Sequence, residues 1–85
     1  MQIKFKSVQA RIEFASLGRA NQAIAEYMKD APHEAVNCFN GTIELVDGNG
    51  EEIILNDDGT INDTNNGWGA FVFMSERNYF DIEGE

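Results

Sequence analysis

The side chains of this 85-residue chain that could do chemistry fall into a few groups, and the densest is the run NDDGTINDTNNG, from Asn56 to Gly67. Its acids, amides and threonines are oxygen donors of the kind that wrap calcium. An EF-hand loop needs oxygen ligands at positions 1, 3 and 5, glycine at 6 and a bidentate glutamate at 12. With Gly59 at position 6, Asn56 and Asp58 take ligand places, but Ile54 falls at position 1 and Asn65 at position 12. Both ends fail. The DGNGEE run fails too, because Glu52 would occupy the glycine place. No metal is expected, and these residues read as turn formers that keep a long connection polar.

Cys38 and His33 are the sole cysteine and histidine. A thiol nucleophile needs a base to activate it. Cys38 projects toward the predicted core, where cysteine is an inert small hydrophobe. His33 follows Pro32 with no carboxylate or metal cluster to work with, the setting of a solvated imidazole. No glycine-rich phosphate loop, HExxH or GxSxG is present. The expectation is a protein without catalysis and without cofactors.

The remaining chemistry is charge, and its arrangement depends on the secondary structure. Val8, Ala10, Ile12 and Phe14 alternate with polar residues, the period-two mark of a half-buried strand. Ile3 and Phe5 have the other parity, which predicts a bulge or break near Ser7. Ser16 stands where an N-cap belongs. Leu17, Ala20, Ile24, Tyr27, Met28 and Ala31 then recur at helical spacing until Pro32, predicting an amphipathic helix over residues 17–30.

Strands and tight turns follow. Asn40-Gly41 predicts a type I′ hairpin, setting Cys38 opposite Ile43 and Val36 opposite Leu45. At Gly48-Asn49-Gly50, a three-residue loop with Gly50 left-handed pairs Leu45 with Ile53 and Ile43 with Leu55, keeping one face apolar. A four-residue loop at Ser75–Asn78 pairs Phe73 with Phe80 and Phe71 with Ile82. The expected fold is a single α+β domain, one amphipathic helix on an antiparallel sheet in the order β-α-β-β-β-β-β.

These registers leave Phe39, Thr42, Glu44, Val46, Glu52 and Ile54 on the face away from the helix. Val72, Met74, Tyr79, Asp81 and Glu83 join a similarly oriented face. Carboxylates interleaved with aromatics suit a protein interface, in which aromatics anchor and charges steer. Cover by the N-terminal strand, the long loop or a second copy is the alternative. Phe39, Glu44, Glu52, Asp57, Asp58, Asp81 and Glu83 are the expected partner-binding residues. Trp68, between glycines, is open to reading as a core plug or an exposed anchor.

Composition bounds the partner. At 42% hydrophobic and 11% aromatic the chain is too apolar for a disordered acidic tail. Net charge is −9. Residues 1–29 hold five bases against two acids, a net of +3, and residues 30–85 hold thirteen acids against Arg77 alone, a net of −12. Such a field repels nucleic acid and anionic membrane and draws basic surfaces, although solubility alone is the plainer reading. No apolar run is long enough to span a membrane. MQIKFKSVQ has no apolar signal region, and one cysteine gives no internal disulfide, so the expected compartment is the cytoplasm.

The stretches IEFASLGRANQAIAEYMKD and CFNGTIELV, within residues 10–55, resemble small phage-encoded proteins, among them anti-CRISPR inhibitors with one helix on an antiparallel sheet. The resemblance implies a stoichiometric inhibitor of a CRISPR effector complex in the host cytoplasm, with no cofactor and no turnover. No individual contact residue is carried over. The acidity adds a mechanism of its own: ordered carboxylates can occupy a basic channel that otherwise neutralises phosphates. The alternative is a structural module that self-associates, as a homodimer or larger assembly, through its sheet.

Overall fold

A computed structural model of the protein describes residues 1–84. The elements run β1 (Gln2–Phe5), α1 (Val8–Ala15), α2 (Arg19–Met28), β2 (His33–Asn37), β3 (Ile43–Leu45), β4 (Ile54–Leu55), β5 (Trp68–Gly69), β6 (Phe71–Val72), a 3-10 helix (Met74–Tyr79) and β7 (Phe80–Glu83). Five strands form an antiparallel sheet in the order β6-β3-β2-β1-β7, and β4 pairs with β5 beside it. The helices pack on one face of the sheet, so the α+β class expected from the sequence holds.

The strand expected at residues 8–14 is instead α1. Positions 8 and 12, and 10 and 14, are four apart, a spacing shared by a strand face and a helix face. The N-cap decides for the helix. Ser7 Oγ accepts the Ala10 N–H at 3.0 Å, and Gln9 donates to Glu13 one turn on at 3.0 Å. The parity change at Ser7 is therefore the end of β1, not a bulge. Phe14 is buried against Phe5 and Phe80, with ring centroids 5.4 and 5.2 Å apart. The longer helix expected at 17–30 is α2, shorter at both ends. Ser16 caps the C-terminus of α1, and Gly18 precedes α2. Ala23, Ile24, Ala25 and Met28 form the buried stripe of α2.

The hairpin at Asn40-Gly41 forms with both residues at positive φ, 58° and 74°, as a type I′ turn requires. Its register differs from the expectation by one residue. Thr42 N–H donates to Phe39 O at 3.2 Å, while Cys38 N–H donates to Thr42 O at 2.8 Å. Cys38 and Phe39 thus stand together opposite Thr42, which is a β-bulge. Ala35 now faces Leu45, Val36 faces Glu44 and Asn37 faces Ile43. The shift turns β2 over: Ala35 is buried, and Val36 points away from the helices at 40% exposure.

Gly50, at φ 78°, closes the three-residue loop as expected, and the register holds at the Val46–Glu52 bridge. The chain then leaves the sheet, and Ile43 pairs with Val72 in place of Leu55. The last expected hairpin does not form. Residues 74–79 are the 3-10 helix, which carries the chain from β6 at one edge of the sheet to β7 at the other. Phe71 pairs with Glu44, and Ile82 with Ile3.

Candidate functional site

The helix-free face of the sheet can be read row by row, since directly paired residues share a face. One row runs Phe71–Glu44–Val36. The next runs Glu52–Val46–Glu34–Gln2–Glu83, with Val46 N–H donating to Glu34 O at 3.1 Å. A third holds Lys4 beside Asp81. Five carboxylates, Glu34, Glu44, Glu52, Asp81 and Glu83, therefore share a face on which Lys4 is the only base within the paired strands.

These acids are largely unengaged. Glu34 accepts from Gln2 Nε2 at 3.0 Å, and Glu44 Oε1 lies 3.6 Å from Cys38 Sγ. Among the described residues, Glu52, Asp81 and Glu83 make no side-chain hydrogen bond and no ion pair; the ion pairs formed there are Arg11–Asp30 and Arg19–Asp57.

Asp57 and Asp58, expected to bind a partner from the loop beside that face, are exposed residues of a turn. The turn at residues 56–60 presses on α2 so closely that a Cβ on Gly59 would lie 2.6 Å from Tyr27 N. Asp57 accepts from Trp68 Nε1 at 2.6 Å and from Arg19 Nη2 at 2.9 Å. The indole N–H, and after it the guanidinium, hold its carboxyl below the ordinary value. Asp58 accepts from both the hydroxyl and the N–H of Thr60, at 2.6 and 3.0 Å, which lower its carboxyl likewise. Asn62 treats Thr64 the same way, at 2.7 Å. The run is thus a chain of side-chain-closed turns. Trp68 packs half-buried against the core as it holds Asp57. No group of three or more metal-ligating side chains is brought together among the described residues.

Phe39 sits at the tip of the hairpin, 79% exposed. A Cβ on Gly41 would come within 2.7 Å of Met74 Cε, so the methionine lies across the turn. Phe39, Phe73 and Met74 line a groove of about 590 Å³. Other residues assigned to the outer face offer little surface there: Val46 lies in its row but is buried, Val72 pairs with inward Ile43, Thr42 is buried, and Tyr79 packs against the core. Cys38, expected inside, is half-exposed, and burial followed by the Glu44 carboxylate pushes its thiol up. His33 does not reach it. Its Nε2 lies 3.0 Å from Met28 O, an acceptor, and its ring packs 4.9 Å from Tyr27.

The sequence reading missed Glu34, Val36 and Phe71. Nothing in AVNCF marks the bulge, and Glu44, outward in both registers, is the fixed point from which the true face could have been traced. No protein-family model, curated protein or solved structure matches this chain.

Proposed function

We propose that the chain is a non-catalytic binding protein whose acidic sheet face docks on a basic, nucleic-acid-handling protein surface and blocks it stoichiometrically. The observation that carries this reading is the array of five carboxylates on one sheet face, of which Glu52, Asp81 and Glu83 have no side-chain partner among the described residues. Charges on one strand repeat every ~6.7 Å and neighbouring strands lie ~4.8 Å apart, so a sheet holds them in an array that a tail cannot. Such an array steers a basic surface toward it. Val36 and Phe71 beside Glu44, with Phe39 at the tip, supply apolar anchors. A CRISPR effector complex, the partner class implied by the resemblance, has the required chemistry. The segment Ile12–Phe14 quoted for that resemblance is helical here, so the reading rests on the charge array.

The test begins with capture of a partner and its identification by mass spectrometry. Association and dissociation rates are then followed across a salt series. Glu34→Gln, Glu44→Gln and Glu52→Gln together should slow association about tenfold at low salt and little at high salt. Phe39→Ala should instead speed dissociation. The chain should compete with nucleic acid one to one. Unchanged rates in the amide variant would show that the acids serve solubility. Self-association is the second reading, favoured by the exposed Phe39–Phe73–Met74 groove, and concentration-dependent sedimentation tests it.

A further inference from the structure

The two edges of the five-stranded sheet are finished differently. At the β6 edge, Leu45 N–H donates to Ala70 O, so alternation turns Gly69 and Phe71 outward. Gly69 is taken by β4. Phe73 N–H is taken by Glu76 Oε1 at 3.0 Å, a carboxylate that Asn21 also holds at 2.7 Å. That edge is closed on both sides of Phe71.

The β7 edge is not closed. Ala35 and Met1 exchange backbone bonds, and Lys6 N–H donates to Tyr79 O at 3.0 Å. Alternation then directs Asp81 and Glu83 toward β1, and Phe80 and Ile82 away from it. Phe80 N–H returns to Arg77 O. Phe80 C=O and both backbone groups of Ile82 have no backbone partner among the described residues. An exposed edge of this kind is a template for another strand.

We propose that β7 accepts an extended basic segment of a partner by antiparallel strand addition, a proposal that rests on the reading of the protein as a binder of basic surfaces. The residue opposite Ile82 exchanges both backbone bonds and turns its side chain to the helix side, where Ile82 is half-buried against the core. Its neighbours fall opposite Asp81 and Glu83, on the acidic face. The segment recognised is therefore basic–apolar–basic. A second copy does not fit. Antiparallel β7–β7 pairing centred on Ile82 sets Asp81 against Glu83, and the shifted pairing sets Asp81 against Asp81. Like charges directly opposite are unfavourable. The carboxylates thus exclude self-pairing and select a cationic strand.

The test uses the whole chain and a capped peptide of alternating lysine and valine, followed by amide NMR. The peptide should bind and slow hydrogen exchange at Ile82. N-methylation of its valines should abolish binding, whereas N-methylation of its lysines, whose N–H groups face outward, should not. Asp81→Asn with Glu83→Gln should weaken binding about fivefold or more, through loss of two cross-strand charge pairs. A glutamate–valine peptide should not bind. No binding, equal binding of the valine-methylated peptide, or a β7–β7 dimer would overturn the edge proposal. Binding without protection of Ile82 would overturn it too, while leaving the basic-surface reading intact. Conversely, protection of Ile82 with no effect of Glu34→Gln, Glu44→Gln and Glu52→Gln on partner association would sink that reading and leave the edge.

Discussion

The turn region at residues 56–66 and the helix-free sheet face are both rich in acids and amides, yet they use them in opposite ways. In the turn region each of Asp57, Asp58 and Asn62 accepts two hydrogen bonds from its own chain. On the sheet face, Glu52, Asp81 and Glu83 accept none through their side chains among the described residues. A carboxylate that closes its own backbone is a structural part. One held by a sheet and left unengaged is available to something outside. The comparison separates two roles that composition alone merges into a single net charge.

The largest effect that tests this division lies beneath the sheet face. Leu45→Ala removes a fully buried side chain and should lower stability by roughly 2–5 kcal/mol. Glu44→Gln, one residue away on the other face, should stay within ~0.5 kcal/mol. Chemical denaturation measures both, and equal midpoint shifts would refute the register.

Next come two glycines at similar φ. Gly59, at 84°, meets the backbone of α2, whereas a Cβ on Gly50, at 78°, meets open space. Gly50→Ala should be destabilising by about 1–2 kcal/mol from its left-handed conformation alone. Gly59→Ala should exceed that, because the turn must also lift off the helix. If thermal melts show equal losses, the turn does not dock as described.

The smallest effect is the most direct. Asp57 is held below its ordinary value by Trp68 and Arg19, so its contribution is complete above the unfolded value of about 3.9 and fades as pH falls through the lower folded value. Asp57→Asn should melt a few degrees below the parent at pH 7, and the gap should close as the pH falls below about 4. Glu52→Gln and Asp81→Asn, which remove no side-chain hydrogen bond among the described residues, should melt within a degree or so of the parent at pH 7. A loss as large as that of Asp57→Asn for either would mean that the sheet acids, too, are structural.

Much of the fold was legible in the chain. Ile24 and Met28 marked the helix, Gly50 marked the loop and its register, and Asn40-Gly41 marked the turn type. Three features were not, each for a physical reason. Val8 to Phe14 alternates like a strand, yet Val8 and Ile12 are more than half exposed on α1 and only Phe14 is buried; the local mark of the helix is one hydroxyl, that of Ser7. The bulge at Cys38–Phe39 leaves no trace in AVNCF, because β2 can bury either Ala35 or Val36. Phe73 and Phe80, and Phe71 and Ile82, pattern like hairpin partners, but Phe71 pairs with Glu44 and Phe80 with Phe5, which only the assembled sheet specifies. Of the candidate site, Glu44, Glu52, Asp81 and Glu83 were found from alternation. Asp57 and Asp58 lie in the polar turns expected of them, but charge patterning does not tell a turn's internal acceptors from free ones.

The placing of β1 between β2 and β7 bears on how the protein is made. Its first strand completes its pairing only with residues 80–83, so a growing chain carries β1 with that edge unpaired until those residues have been made. Contacts so distant along the chain make folding slower than that of a helical bundle of the same size. The sheet therefore closes only once residues 80–83 have been made, and the acidic face is complete only when Asp81 and Glu83 arrive with them.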